Sequence, residues 1–264
     1  MMEEVLFISK IEDLRYFHGN FSRIYFGNEF CDRLLPSIRD LNRVLDFTSR
    51  KGIAFTFVTP YVTDKGLEKL KTLLQHIAEK RPDSEVVFND YGVLRVLNKQ
   101  NDGLVPVMGR LLTRMKRGPR LMTVIDKLPP TTVEYFRSSN LTVPILCEFL
   151  REHGVRRVEL DNVLQGFDFW LDNLEASLYV PYAYVSTTRF CLTNSCDKPE
   201  RSELIGIFPC QKECQRYTFF LRNEIMPVPL IRKGNTLFFK NEVLPEAIEE
   251  RGITRIVMEP EIPI

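Results

Sequence analysis

Short apolar runs alternate with amphipathic stretches along most of the chain. "EVLFI" (Glu4 to Ile8), "RIYF" (Arg23 to Phe26), "IAFTFV", "EVVF" (Glu85 to Phe88), "LVPVMG" (Leu104 to Gly109) and "VRRVEL" (Val155 to Leu160) have the length and composition of buried strands. The stretches between them carry helical spacing. "KIEDLRYF" reads as a short helix, and "CDRLLPSIRDLNRVLDFTSRKG" as a helix interrupted near Pro36 and closed at Gly52. "TDKGLEKLKTLLQHIAEKRP" sets Leu67, Leu70, Leu74 and Ile77 on one face and stops at Pro82; further helices start at Tyr91 and end at Gly154. Towards the C-terminus "RYTFFLRN", "PVPLIRKGN" and "NTLFFKN" are short strand-like runs broken by Pro227, Pro229 and Gly234, which predicts a small β hairpin. "EVLPEAIEERG" and "ITRIVMEP" predict a last helix and strand.

Strand followed by helix, repeated, implies a parallel sheet. Six to eight such units in 264 residues suit a β/α (TIM-like) barrel, one domain over 1–264 with a cysteine-rich insertion at 186–241 and the small hairpin near the C-terminus. A doubly wound sheet is the alternative. Its nucleotide-binding versions lack their signatures here, because no GxGxxG follows the first strand and no GxxxxGK[ST] occurs.

Barrel chemistry gathers at the C-terminal tips of the strands. The residues just past the runs are Asn28 and Glu29, Thr59 and Pro60, Asn89 and Asp90, Arg110, and Asp161 and Asn162. Asn and Asp in such places commonly cap the next helix. Arg110 has no acceptor to cap with, so Asn89, Asp90, Arg110 and Asp161 are the candidate set for binding a substrate that carries a carboxylate or phosphate. The run "GRLLTRMKRGPR" adds Arg114, Lys116, Arg117 and Arg120, either a solvated face or a contact for RNA phosphates.

Composition narrows the setting. With 44% hydrophobic and 27% charged residues and a net charge of +1, the chain reads as an ordinary soluble protein with no general pull towards nucleic acid or an anionic membrane. No window approaches the roughly 18 apolar residues of a membrane span. The start "MMEEVLFISKIEDL" is acidic where a secretory signal is basic, so the expected compartment is the cytoplasm. His18, His76 and His153 form no HExxH, and GxSxG does not occur.

A reducing compartment changes the meaning of the six cysteines. Four of them, Cys191, Cys196, Cys210 and Cys214, crowd into one segment, and there they favour metal over disulfides. Four thiolates suit zinc or an iron-sulfur cluster. The wide, unequal gaps favour a cluster, with zinc as the alternative. Cys147, in "PILCEFLREHG", reads as a core residue.

The order "IYFGNEFC", "FNDYGVLRVL", "GRLLTRMKRGPR" and "YVPYAYVSTTRFCL" leading into the cysteines resembles the collagenase-like peptidase U32 family from about Ile24 to Cys214. The resemblance implies a barrel-like fold and a four-iron (4Fe-4S) cluster on four cysteines. It also implies oxygen-independent hydroxylation of a small aromatic or nucleobase substrate, including RNA bases, often with a partner protein of the same family. The branch similar to the anaerobic ubiquinone-hydroxylation proteins takes one ligand from an early YxGxxxC segment, here Cys31, with Cys191, Cys210 and Cys214 matching the others. Cys31 and Cys196 thus compete for one ligand place. "STTRFC" departs from the glycine-rich approach of the peptidases of that family, so peptide hydrolysis stands as the alternative activity, beside a non-catalytic zinc- or cluster-binding partner subunit.

Overall fold

Parallel strands dominate the computed structural model, which describes residues 2–100, 103–171, 173–201 and 208–264. They are β1 (Glu3–Ile8), β2 (Arg23–Gly27), β3 (Ala54–Val58), β4 (Glu85–Phe88), β5 (Val105–Met108), β6 (Arg157–Asp161) and β7 (Glu175–Val180). The chain then leaves the barrel for a second sheet of β8 (Tyr182–Thr187), β9 (Phe219–Leu221), β10 (Leu230–Lys233) and β11 (Thr236–Lys240), and returns as β12 (Ile253–Met258). The closed order β1-β12-β7-β6-β5-β4-β3-β2 makes an eight-stranded parallel barrel. Among the described residues five α-helices pack outside it: α1 (Ile38–Lys51), α2 (Asp64–Lys80), α3 (Tyr91–Gln100), α4 (Pro130–Arg137) and α5 (Pro144–Glu152). No helix among the described residues is long and apolar enough to cross a membrane.

Local chemistry explains the helix ends. Pro36 stops the first turn after β2, and Ser37 caps α1 by accepting the Asp40 N–H; Gly52, at φ 65°, ends the helix in the left-handed conformation that glycine adopts without strain. Thr63 does the same for α2 by accepting from Gly66. Leu70, Leu74 and Ile77 bury the inner face of α2 against the barrel, each contributing about 1.5–3 kcal/mol.

Three expectations are corrected. The hairpin β10–β11 exists, but it forms the middle of a four-stranded antiparallel sheet. The last helix is absent: "EVLPEAIEERG" holds only a single 3-10 turn at Glu249–Arg251, because Pro245 removes a backbone donor and Ala247 turns to φ 52°. "KIEDLRYF" likewise makes a 3-10 turn at Ile11–Tyr16.

Side chains alternate along each strand, and the inward ones stack in layers. At the N-terminal end of the barrel Arg23 and Arg255 bind Glu3 and Glu85. Above them lies an apolar and aromatic layer that includes Val5, Tyr25, Val58, Val87, Val107 and Val257. A third cluster of Phe30, Tyr184, Cys214, Ile231, Phe238 and Ile264 seals the second sheet onto the rim. The barrel mouth and the cysteine region therefore share one wall.

Candidate functional site

Arg110 closes the barrel mouth. Its side chain is fully buried, and its five N–H groups are all spent on protein. Nε donates to Glu29 Oε2 at 2.9 Å, Nη1 to Asp161 Oδ1 at 3.2 Å and the Tyr182 carbonyl at 2.8 Å, and Nη2 to Glu29 Oε2 at 2.6 Å and Glu259 Oε1 at 2.5 Å. The guanidinium also lies 4.0 Å from the Tyr179 ring centroid. Arg117 takes the other oxygen of Asp161 at 2.6 Å and stacks 4.3 Å over Tyr184. Two guanidinium groups thus face three carboxylates away from water. Burial pushes the Glu29 and Glu259 carboxyls above the ordinary range, against the pull of Arg110.

This placement corrects the picture of an open anion clamp. Arg110 and Asp161 do meet, but as partners of each other under the second sheet. Asn89 ties strand tips together, donating to the Thr59 carbonyl at 2.9 Å and accepting from Leu111 N–H at 3.0 Å. Gly109 makes room for it, since a Cβ there would sit 2.1 Å from Asn89 Oδ1. Asp90 accepts from the Val62 and Gly92 backbone. Glu29 and Glu259 are the mouth residues missing from the sequence-based set. Glu259 directly follows β12, so reading the tip of that strand like the others would have found it. In the basic run, Arg110 and Arg117 are buried, while Arg114, Lys116 and Arg120 are exposed.

Beside the plugged mouth lies a cavity of about 1180 Å³ lined by Cys31, Cys191, Cys196, Cys210 and Cys214. Cys31 sits on the loop after β2, where Asn28 Oδ1 accepts the N–H groups of Phe30 and Cys31 and fixes the turn. Cys191 follows β8, and Cys214 lies buried in the 3-10 turn Glu213–Gln215. Donors point at the sulfurs: the Lys212 N–H at Cys210 Sγ (3.4 Å) and Gln215 Nε2 at Cys214 Sγ (3.6 Å). Glu213 staples the two cysteine loops, accepting the N–H of Ser195 at 2.9 Å and of Gln211 at 3.1 Å. Burial opposes ionisation of Glu213, but these backbone donors outweigh it and hold the carboxyl below its usual range.

The five thiols are not equivalent. Burial pushes the Cys31 thiol up to about 11, and Asp32, Cys214 and Cys210 act on it in the same direction. Burial also raises Cys214, with Cys191 and Cys210 adding to it. Cys214 is therefore within electrostatic reach of Cys191, Cys210 and Cys31, and Cys31 also of Cys210. Cys196 is exposed, and after burial the main charges acting on it are Asp197 and Glu213. Cys147 stands apart, half-buried, with its thiol donating to the Leu141 carbonyl at 3.1 Å. His18 packs on Phe21, His76 bonds Asn42 and His153 bonds the Phe149 carbonyl. Among the described residues no three His, Cys, Asp or Glu side chains stand closely enough together to hold a single metal ion.

The cavity wall is cationic. Among the described residues Arg33, Lys65, Lys69, Arg189, Lys198 and Arg201 line it, with Asp32 as the acidic side chain, and Asp32 already accepts from Thr63. Aromatic faces lie between them, with Arg189 5.3 Å over Tyr61 and Arg201 4.9 Å over Phe208. The loop "DKPERSELIGIF", expected to join the cysteine pairs, lies partly outside the described residues, at 202–207.

Among known proteins, no family model matches this chain, and no curated protein matches it. Among solved structures it is similar to the U32 peptidase Mk0906, with a TM-score of 0.47 and 13% sequence identity over 100% of this chain and 95% of that one.

Proposed function

We propose that Cys31, Cys191, Cys210 and Cys214 hold a four-iron iron-sulfur cluster, and that the protein takes part in oxygen-independent hydroxylation or a related redox modification of a small aromatic or nucleobase substrate. One observation carries this reading: Cys31, far away in sequence, lines the same cavity as Cys191, Cys210 and Cys214, and of the five cysteines there Cys196 is the exposed one. The donor set fits the group. Thiols are the soft ligands that iron-sulfur centres take, and N–H donors directed at the ligand sulfurs are a known means of tuning them. The wide, unequal gaps between Cys31, Cys191, Cys210 and Cys214 in the sequence favour such a centre over zinc.

When bound, such a cluster supplies one-electron chemistry. The chain's own residues do the rest. The cationic wall attracts and orients an anionic group, which is the role first expected of Arg110, Asn89, Asp90 and Asp161. Tyr61, Phe190 and Phe208 offer flat faces to a ring. The second sheet shields one side of the cavity from solvent, through Cys214 packed among Ile231 and Phe238. Peptide hydrolysis gains no support, since no histidine lines the cavity to serve as a base.

The test is anaerobic purification followed by absorption spectroscopy and iron and sulfide analysis. A brown protein with about four iron and four sulfide per chain, bleached by dithionite, is expected. Colourless protein with one equivalent of zinc overturns the assignment.

A further inference from the structure

We propose that the Thr193 hydroxyl and the Gln215 amide set the reduction potential of the centre held by Cys31, Cys191, Cys210 and Cys214, by hydrogen-bonding two of its sulfurs. The inference rests on the cluster reading above and adds to it the residues that tune it. Thr193 Oγ1 lies 3.3 Å from Cys191 Sγ, and Gln215 Nε2 donates to Cys214 Sγ at 3.6 Å. A free thiol can give or take the hydrogen bond with Thr193. A ligating thiolate has no proton to give, so there the hydroxyl donates.

The other two sulfurs take backbone donors. Lys212 N–H points at Cys210 Sγ at 3.4 Å, and the Arg33 backbone N–H bonds Cys31. Each of the four cysteines thus has a donor within two residues of it, and Arg33, Thr193 and Lys212 each stand two places after their cysteine. On Cys196 the leading charges are instead the carboxylates of Asp197 and Glu213. Backbone donors survive a side-chain exchange, so Thr193 and Gln215 are the donors through which the sequence adjusts the potential. Thr193 is fully buried and Gln215 half-buried, in loops that Glu213 fastens together. Arg232 and Lys233 of β10 act electrostatically on Cys191 and Cys214 and favour negative charge there too. One electron added to the centre puts more negative charge on the sulfurs and moves no bond or proton of the chain. A donor aimed at them therefore stabilises the reduced form more than the oxidised one, and removing it makes reduction harder.

Redox titration of the anaerobically purified protein with dithionite, followed by its visible absorption, tests this, with iron and sulfide measured on every sample. Thr193→Val and Gln215→Leu are expected to keep the iron of the parent and each to weaken reduction by about tenfold, a shift of ~59 mV to lower potential for one electron. Thr193→Ser restores the hydroxyl and should return to the parent potential. Potentials that stay in place, or that rise, overturn the proposal. Loss of iron in both Thr193→Val and Gln215→Leu also overturns it, since the two side chains would then support the loops and not the potential; where one variant alone loses iron, the potential of the other decides. A parent protein without iron overturns the cluster reading itself, so the parent sample tells the two failures apart.

Discussion

The Glu213 carboxylate accepts the Ser195 backbone N–H at 2.9 Å, and so fastens the loop of Cys191 and Cys196 to the loop of Cys210 and Cys214. Its second oxygen holds Gln211. Each hydrogen bond to a charged group is worth roughly 1.5–3 kcal/mol. Glu213→Ala should therefore loosen this region more than the barrel. Limited proteolysis should cut between Arg189 and Cys214 first, and iron recovered after anaerobic reconstitution should fall. Because Glu213 ionises below its usual range in the folded state, its stabilising effect is present above the ordinary glutamate value and is lost as pH falls through the lowered one. Protease sensitivity of the parent loop should rise in acid ahead of global unfolding.

Single Cys→Ser changes sort the thiols. Cys31, Cys191, Cys210 and Cys214 variants should each lose most of the iron and acid-labile sulfide recovered without oxygen. Cys196→Ser and Cys147→Ser should retain the parent level. Full loss at Cys196 with retention at Cys31 would reverse the choice between them.

Arg110→Ala should cost stability. It leaves Glu29, Asp161 and Glu259 buried without their shared cation, and breaking a buried charge network from one side typically costs 3–5 kcal/mol. A large drop in melting temperature is expected. A stable variant that has only lost substrate affinity would return Arg110 to the role of anion clamp.

Glu159 offers a pH test inside the barrel. It is fully buried, held by the Tyr25 and Ser177 hydroxyls on one oxygen, and burial pushes its carboxyl up to about 8. A folded value above the unfolded one means that the folded state binds the extra proton between the two. Stability attributable to Glu159 is therefore greatest below the ordinary glutamate range and declines as pH rises towards 8. Glu159→Gln should flatten that decline, by on the order of a few kcal/mol at pH 8, as read from denaturant titrations at several pH values.

The barrel was largely legible because its strands are short, apolar and separated by strongly periodic helices. "EVVF" coincides with β4, and Leu70, Leu74 and Ile77 are buried as their spacing indicates. β7 and β8 follow one another without a helix between them, so the alternation that reveals the other strands is missing there. The mouth was less legible. Arg110 is conspicuous as a cation at a strand tip, but its partners Glu29 and Glu259 come from opposite ends of the sequence, and only closure of the barrel brings them together. The cysteines show a related limit. Spacing keeps Cys196 with its neighbours, while the turn made by Asn28 brings Cys31, distant in sequence, to the same cavity, where Cys196 is the exposed thiol.

The last strand of the barrel is also the one that shuts it. β12 lies between β1 and β7 and pairs with both, so a chain still emerging from the ribosome has an open seam until Ile253–Met258 arrives. The cysteine region is synthesised before that moment. The pairing of the first strand with the last is the most non-local contact of the barrel, the kind that forms slowly, and every earlier element has been made before it can form.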